Sequence, residues 1–465
     1  MRKMTTILYK DDVLDSLARH SNVAQFVSFG PGVNLVQRHS RIFGHPENFE
    51  FSSIEESLQA LMDSSPEKSI NVRSFLPGQP QGHEFIYGVR DVNVAVEHVK
   101  RLASNAFYTI VNETIDVNDG GVSGVYQGGV VEFAPGEVPR FIEKNSQNPV
   151  PALPFDFTMD LLKTVYGFPP DLTDDRQKRV EFSLHPCKRG WNNTHTIIWE
   201  EELVSPISFP SFFVWPNSFS KLLGDKAYGL LVGHLLGVPV PKTTVYPRKK
   251  EISPFTFGLD TFGDTVWTRT CPATPVPGKF LTVHESLDPF EVMDTEDPEK
   301  KILSSCLLQQ DVPAKFSGTV LTNVDGQLVV EGVVGPGDEY MLGGASPVTL
   351  PESIQNNLKD LHSALAMLKQ PISFEWAHDG KVAWLLQLHL GAVHSYNRTI
   401  VPGDASEFVE FDVSQGLEVL RKLVEEHHYD GRGIAVVGNI GLGSHIADVL
   451  RKARIPSYIE MPPVE

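Results

Sequence analysis

The chain has 465 residues, too many for one ordinary core, so two to four domains are expected. A formal net charge of -18 and a pI near 5.3 repel a phosphate backbone, and no basic run longer than Arg248 to Lys250 offsets them, which speaks against nucleic acid as a partner. Cys187, Cys271 and Cys306 lack the spacing of a disulfide framework or zinc knuckle, and no apolar stretch reaches the roughly 18 residues of a membrane span, so a cytoplasmic protein without membrane contacts is expected.

Four landmarks in the first half recur in the second at a spacing of about 195 residues. "SFGPGVNL" around Gly30 pairs with "LLGDKAYGLL" around Gly224, and "INVRSFLPG" around Arg73 pairs with "VWTRTCPATPVPG" around Arg269. "VNETIDVNDGGVSGV" around Ser123 pairs with "LQQDVPAKFSGTV" around Ser317, and "RVEFSLHP" around Glu181 pairs with "ISFEWAHD" around Glu375. One such match is cheap; four in order at a near-constant offset point to two homologous units. The first keeps Arg73, Glu84, Glu181 and Glu200 but offers no lysine at the position aligned with Lys226. A second nucleotide site, an acceptor site and decay to a scaffold all remain open for it.

"SPISFPSFFVWPNSFS", residues 205–220, is rich in Pro and Ser and without helical period, and reads as the linker. Beyond it, "GDKAYGLLVGHLLGVPVP" predicts a helix with Lys226 in its first turn and Leu230, Leu231, Leu235 and Leu236 at helical spacing. A cation beside a glycine-led helix start suits phosphate, although a solvated first-turn lysine reads the same way in isolation. Arg269 lies in the strand-like "TVWTRT" before a Pro/Gly loop. Glu375 and Gln387 fall on consecutive strands joined by "AHDGK". Two oxygen ligands on adjacent strands suit Mg²⁺, which completes its shell with phosphate and water.

Taken in order, "GDKA...GVPVP", "WTRTCPATPVPGKF", "KFSGTVLTN", "VVEGVVGPGDEYMLGG" and "FEWAHDGKVAWLLQ" resemble the ATP-grasp domain of the phosphoenolpyruvate synthase and pyruvate, phosphate dikinase family, over residues 222–392. The resemblance implies that Lys226 and Arg269 hold ATP phosphates, that Gln309, Gln310, Asp311 and Val312 form the adenine hinge, and that Glu375 and Gln387 bind Mg²⁺. It places Glu331 beside the nucleotide's sugar or metal. Where that family commonly carries an arginine after the glutamine strand, this chain has His389.

"HSYNRTIVPGDASE", residues 394–407, with Pro402, Gly403 and few helix formers, reads as a flexible tether, after which "GLEVLRKLVEEHH" reads as a helix and "GIAVVGN" as a buried strand. Gly441, Ser444, His445, Ala447, Arg451, Ile455 and Pro456 then resemble the signature of the same family's mobile phosphohistidine domain. Ile440, Gly443 and Asp448 depart from it. The resemblance makes His445 the phosphate carrier. An imidazole at a helix start is chemically suited to that task, while a plain helix-start residue is the bland alternative. A dinucleotide fold is not expected, because the sequence after this helix is short for the further strand and acidic ribose ligand that such a fold needs. No run of alternating strands and helices remains for that family's pyruvate-binding barrel.

The expected architecture is therefore a mixed α+β and α/β multidomain chain. Its parts are an ATP-grasp-like repeat at 1–204, a linker at 205–220, an ATP-grasp domain at 221–393 and a small swivelling phosphohistidine-like domain at 394–465. The expected activity is dikinase-type phosphotransfer from Mg-ATP, with Lys226, Arg269 and His445 catalytic, to a small-molecule acceptor or a site on a partner chain. An ATP-grasp ligase that makes an acyl phosphate and a non-catalytic ATP sensor are the alternatives.

Overall fold

The computed structural model describes residues 9–79, 81–142, 150–274, 280–427 and 431–460. The chain start at 1–8 and residues 275–279 of the Pro/Gly loop after Arg269 lie outside them. The fold is mixed α/β, with four antiparallel sheets and one mostly parallel sheet, in two compact units, Met1–Ser211 and Phe212–Glu465. The division falls inside the Pro/Ser-rich stretch 205–220.

The first unit holds two sheets. β1 (Phe26–Phe29), β2 (Gln37–Arg41), β3 (Ile70–Phe75), β4 (Phe85–Val89) and β5 (Tyr108–Glu113) form one, in the order β2-β1-β5-β3-β4. Helices Ile54–Ser64 and Val92–Ser104 cover one face of it. Leu58, Leu61 and Met62 of the first and Val96, Val99 and Leu102 of the second recur every three or four residues and close over Val27, Val72 and Val111. Ser53 and Asp91 cap these helices by accepting from the Glu56 and Asn93 amides. The other sheet comprises β6 (Val122–Gln127), β7 (Val130–Pro135), β8 (Ala152–Pro154), β9 (Lys178–Arg189) and β10 (Thr194–Leu203), ordered β10-β9-β6-β7-β8.

In the second unit β11 (Thr243–Pro247), β12 (Phe255–Phe257), β13 (Val266–Pro272), β14 (Thr282–Val283) and β15 (Leu303–Gln310) assemble as β12-β11-β15-β13-β14. β16 (Phe316–Thr322), β17 (Leu328–Val334), β18 (Ile372–His378) and β19 (Ala383–Leu390) assemble as β17-β16-β18-β19. Both repeat the order found in the first unit, strand for strand, with β8 as an addition there.

The shared order revises one landmark of the sequence comparison. Gly30 follows β1, whereas Gly224 precedes the helix Asp225–Leu235 that comes before β11. The counterpart of that helix in chain order is Lys10–Ala18, which precedes β1 and begins on a lysine.

The last sheet contains β20 (Thr399–Val401), β21 (Phe408–Asp412), β22 (Gly433–Val437) and β23 (Ser457–Glu460). β21, β22 and β23 run parallel because helices Leu417–His427 and His445–Ala453 carry the chain back between them, and β20 joins antiparallel to β23. Part of the stretch expected as a tether, residues 399–401, is thus built into the sheet. The apolar cluster under it also takes in Leu321 of β16, so this piece shares a core with the hairpin beneath.

Candidate functional site

The helix Asp225–Leu235 fixes the first cation. A Cβ at Gly229 would stand 2.7 Å from the Leu388 carbonyl oxygen, so only glycine lets this helix lie directly on β19. That contact turns its first turn, with Asp225 and Lys226, toward the ends of β13, β18 and β19.

Trp267 and Arg269 alternate on one face of β13 and both line the cavity there, which measures about 1180 Å³. Lys226, Glu375, Gln387, His389 and His445 line the same cavity, as do all four residues expected in the hinge, Gln309, Gln310, Asp311 and Val312. The structure therefore brings together every expected site residue except Glu331. That carboxylate accepts from the Tyr340 hydroxyl at 2.8 Å and from the Gly443 amide at 2.9 Å and stands outside the lining.

The arginine is the hub. Its Nη1 donates to Gln309 Oε1 at 3.1 Å and to the Leu386 carbonyl at 2.9 Å, and its Nη2 donates to Gln387 Oε1 at 2.8 Å and lies 3.7 Å from Glu375. Arg269 Nε is buried without a partner, and Lys226 has no hydrogen bond or ion pair among the described residues. Burial and the neighbouring Arg269 charge push the Lys226 pKa down. Two cations this close, each with donor capacity to spare, form a site that an anion relieves.

Glu375 and Gln387 sit directly opposite each other across β18 and β19. The pair offers oxygen ligands, hard donors of the kind Mg²⁺ takes, and the carboxylate's only ion-pair contact among the described residues is the 3.7 Å approach of Arg269. The residues fit a magnesium ion on this chemistry.

His445 is the first residue of its helix, behind Ser444, whose hydroxyl accepts from the Ala447 amide. No hydrogen bond or ion pair engages its imidazole among the described residues. Burial lowers its pKa, and Lys226 and Arg269 add to that against Glu375 and Asp448. The ring is therefore neutral at pH 7, with a lone pair available.

The loop before His445 is seated by close backbone contact. A Cβ on Gly443 would fall 1.7 Å from Thr319 Oγ1, so this position takes only glycine. Gly443→Leu is expected to unseat the loop and lower the unfolding free energy by about 1–3 kcal/mol, the cost of overpacking. Faster proteolysis near residues 391–398 measures it, and wild-type protection in the variant would show that the loop docks in another way.

Two features escaped sequence reasoning. Trp267 stacks on His284, with ring centroids 4.5 Å apart, and its indole donates to Asp311 at 2.7 Å, setting an aromatic ring beside the residues expected in the hinge. The alternation of Trp267 with Arg269 was the available signal. His389 approaches the buried Asp225 carboxylate at 3.3 Å and accepts from the Gln387 amide at 2.6 Å. No local pattern joins residues so far apart in sequence.

No family model matches the chain, and no curated protein does. Solved structures that it resembles include D-alanine-D-alanine ligase from Helicobacter pylori, at 13% identity and a TM-score of 0.26, over 38% of this chain and 53% of that one. Another is the D-cycloserine synthetase DcsG, at 15% identity and a TM-score of 0.22, over 43% and 63%. The chain spans less than two thirds of either, and at such scores the likeness assigns neither fold nor chemistry. No helix among the described residues is long and apolar enough to cross a membrane.

Proposed function

We propose that the second unit is an ATP-grasp-type enzyme site that binds Mg-ATP and passes phosphate to His445, from which a further acceptor takes it. The observation that carries this reading is the His445 imidazole, without a hydrogen-bond or ion-pair partner among the described residues, on the wall of the cavity that Lys226, Arg269, Glu375 and Gln387 also line. Adenine would rest against the Trp267 indole and the hinge Gln309 to Val312, with its phosphates toward Lys226 and Arg269. When bound, Mg²⁺ neutralises phosphate charge, held by Glu375 and Gln387.

In the dikinase-type route an imidazole nitrogen forms the new N–P bond with the β-phosphorus while the bond to the AMP oxygen breaks. Water then releases the outer phosphate, and the β-phosphorus stays on the ring. Lys226 and Arg269 stabilise the charge that develops in transfer. Glu331 and Tyr340 act on the carrier through the Gly443 amide and are positioning residues.

The second reading is an ATP-grasp ligase, in which a substrate carboxylate attacks the γ-phosphorus, ADP leaves, and His445 is structural. Both solved structures named above are a ligase and a synthetase. Product analysis separates the two: AMP and phosphate from ATP support the carrier route, and ADP as the sole nucleotide product overturns it.

A further inference from the structure

The cavity of the second unit has a floor laid out in rows. The register of β16, β18 and β19 sets Ser317 opposite Ala377, Thr319 opposite Glu375 and Gln387, and Leu321 opposite Ser373 and His389. All of these residues line the cavity, and successive rows are about 7 Å apart, two residues along a strand. The first row borders Val312 of the expected hinge, and the second carries the pair proposed for magnesium. The third row takes no part in holding the nucleotide, and the cavity runs on past it along Leu390, Ala392 and Val393. At about 1180 Å³ it exceeds the roughly 300–1,000 Å³ of a pocket for one small ligand.

The helix His445–Ala453 roofs the same rows. Gly443, just before it, abuts Thr319 of the second row, while Ile446, Ala447 and Leu450 share an apolar cluster with Leu321 of the third. His445, Asp448 and Lys452 recur at steps of three and four residues, so they share one side of the helix, and all three line the cavity. The chain that leads to the last sheet is pinned as well: the Val393 amide donates to the Thr322 carbonyl at 2.9 Å, and its carbonyl accepts from the Val324 amide at 3.1 Å. Swinging the last sheet away would break these bonds and expose the Leu321 cluster to water. A carrier anchored in this way is served by an acceptor inside the same cavity.

We propose that the third row is the acceptor subsite, that it takes a small uncharged alcohol, and that Asp448 removes the proton of the hydroxyl that receives phosphate from His445. This transfer depends on the carrier role proposed for His445. The cations at this end are already engaged. Arg451 donates to the Leu442 carbonyl at 2.6 Å and to the Ser395 hydroxyl at 3.3 Å, Lys452 lies 3.6 Å from Asp448, and His389 contacts Asp225 and Gln387. An anionic acceptor would meet the Asp448 and Glu375 carboxylates with no cation of its own. A hydroxyl is suited to the place. The Asp448 carboxylate makes only the 3.6 Å contact with Lys452 and one of 3.7 Å with Arg451, and no hydrogen bond among the described residues, so it has room to accept one. The Ser373 hydroxyl is likewise without a hydrogen bond among the described residues, and Leu321, Leu390 and Val393 offer an apolar wall to the carbon skeleton.

Because no partner among the described residues holds the His445 ring, rotation of the side chain carries its phosphoryl group from the second row toward the third. The alcohol oxygen forms the O–P bond as the N–P bond breaks, the electron pair of that bond returns to the ring nitrogen, and the hydroxyl proton passes to Asp448. A phosphate monoester and a neutral histidine result.

The test uses the full chain, labelled from ATP at the β-phosphate, freed of nucleotide and mixed with the alcohols ethanol to hexanol or the carboxylates acetate to hexanoate. At least one alcohol should speed the loss of label at least tenfold over buffer and be recovered as its phosphate monoester, and no carboxylate should speed it. Asp448→Asn should slow that discharge at least tenfold, the loss of a general base, and Asp448→Glu should restore part of it. Ser373→Trp fills the third row and should block discharge with the carboxylate intact; melting curves control for folding. Carboxylates as effective as alcohols, or either Asp448→Asn or Ser373→Trp discharging as wild type does, overturns the subsite. A chain that takes no label strikes the carrier reading and this transfer with it, whereas one that takes label and keeps it in every alcohol strikes the subsite alone.

Discussion

Lys226→Ala and Glu375→Ala should each weaken Mg-ATP binding by about 10- to 100-fold and leave the melting temperature nearly unchanged. The size follows from losing one charge-assisted contact of about 1.5–3 kcal/mol to phosphate or metal. The fold should survive because neither side chain supports it. Lys226 has no partner among the described residues, and Glu375 only a long contact with Arg269. Lys226→Ala removes one of two adjacent like charges, so any change in the free chain's stability should be slightly upward. Glu375→Gln separates ligand from charge: it keeps an oxygen but should lose most of the magnesium dependence. Calorimetric titration at fixed Mg²⁺ measures all three, and wild-type affinity in both alanine variants would remove the nucleotide from this cavity.

Much of this site was legible because strand chemistry is local. Arg269 sits in an alternating run that can only be a strand, and Glu375 and Gln387 flank a short turn that forces them onto neighbouring strands, where the register sets them face to face. Gln309 to Val312 were implied only by the family resemblance, and they lie where β15 ends and the chain turns along the cavity. What a sequence cannot show is which backbone comes close to which. Gly443 looked like a departure from a pattern until Thr319, more than a hundred residues away, was seen to need its missing side chain. Glu331 is the same case: a lone carboxylate on a strand gives no sign that its partners are a tyrosine and the amide before His445. The Gly30 landmark misled because "FGPG" and "LLGD" share glycine for different reasons, a strand exit in one and a helix start in the other. Lys10 was overlooked in consequence. The stretch after residue 394, with Pro402, Gly403 and few helix formers, read as a tether because β20 is three residues long and holds its place through β23, which lies almost at the far end of the chain.

His445→Ala should abolish covalent labelling by ATP and leave Mg-ATP affinity within a few-fold of wild type. The affinity survives because the proposed nucleotide contacts come from β13, β15, β18 and β19, whereas His445 contributes only its ring to the far wall of the cavity. With label at the β-phosphate, the wild-type chain should acquire an adduct that acid removes and base does not, the behaviour of a phosphoramidate on imidazole; γ-label should appear as free phosphate. The pH dependence has a definite sign. The nucleophile is the neutral ring, and burial moves its pKa below the ordinary 6.5, so the neutral form persists to lower pH than in a free histidine. The labelling rate should therefore reach half its high-pH value only at a pH below 6.5. A rate that already halves at pH 6.5 or above would mean that Glu375 and Asp448 outweigh burial. Full turnover by the His445→Ala chain with its acceptor would leave this histidine as a helix-start residue, and the acyl-phosphate route would then be the one this cavity serves.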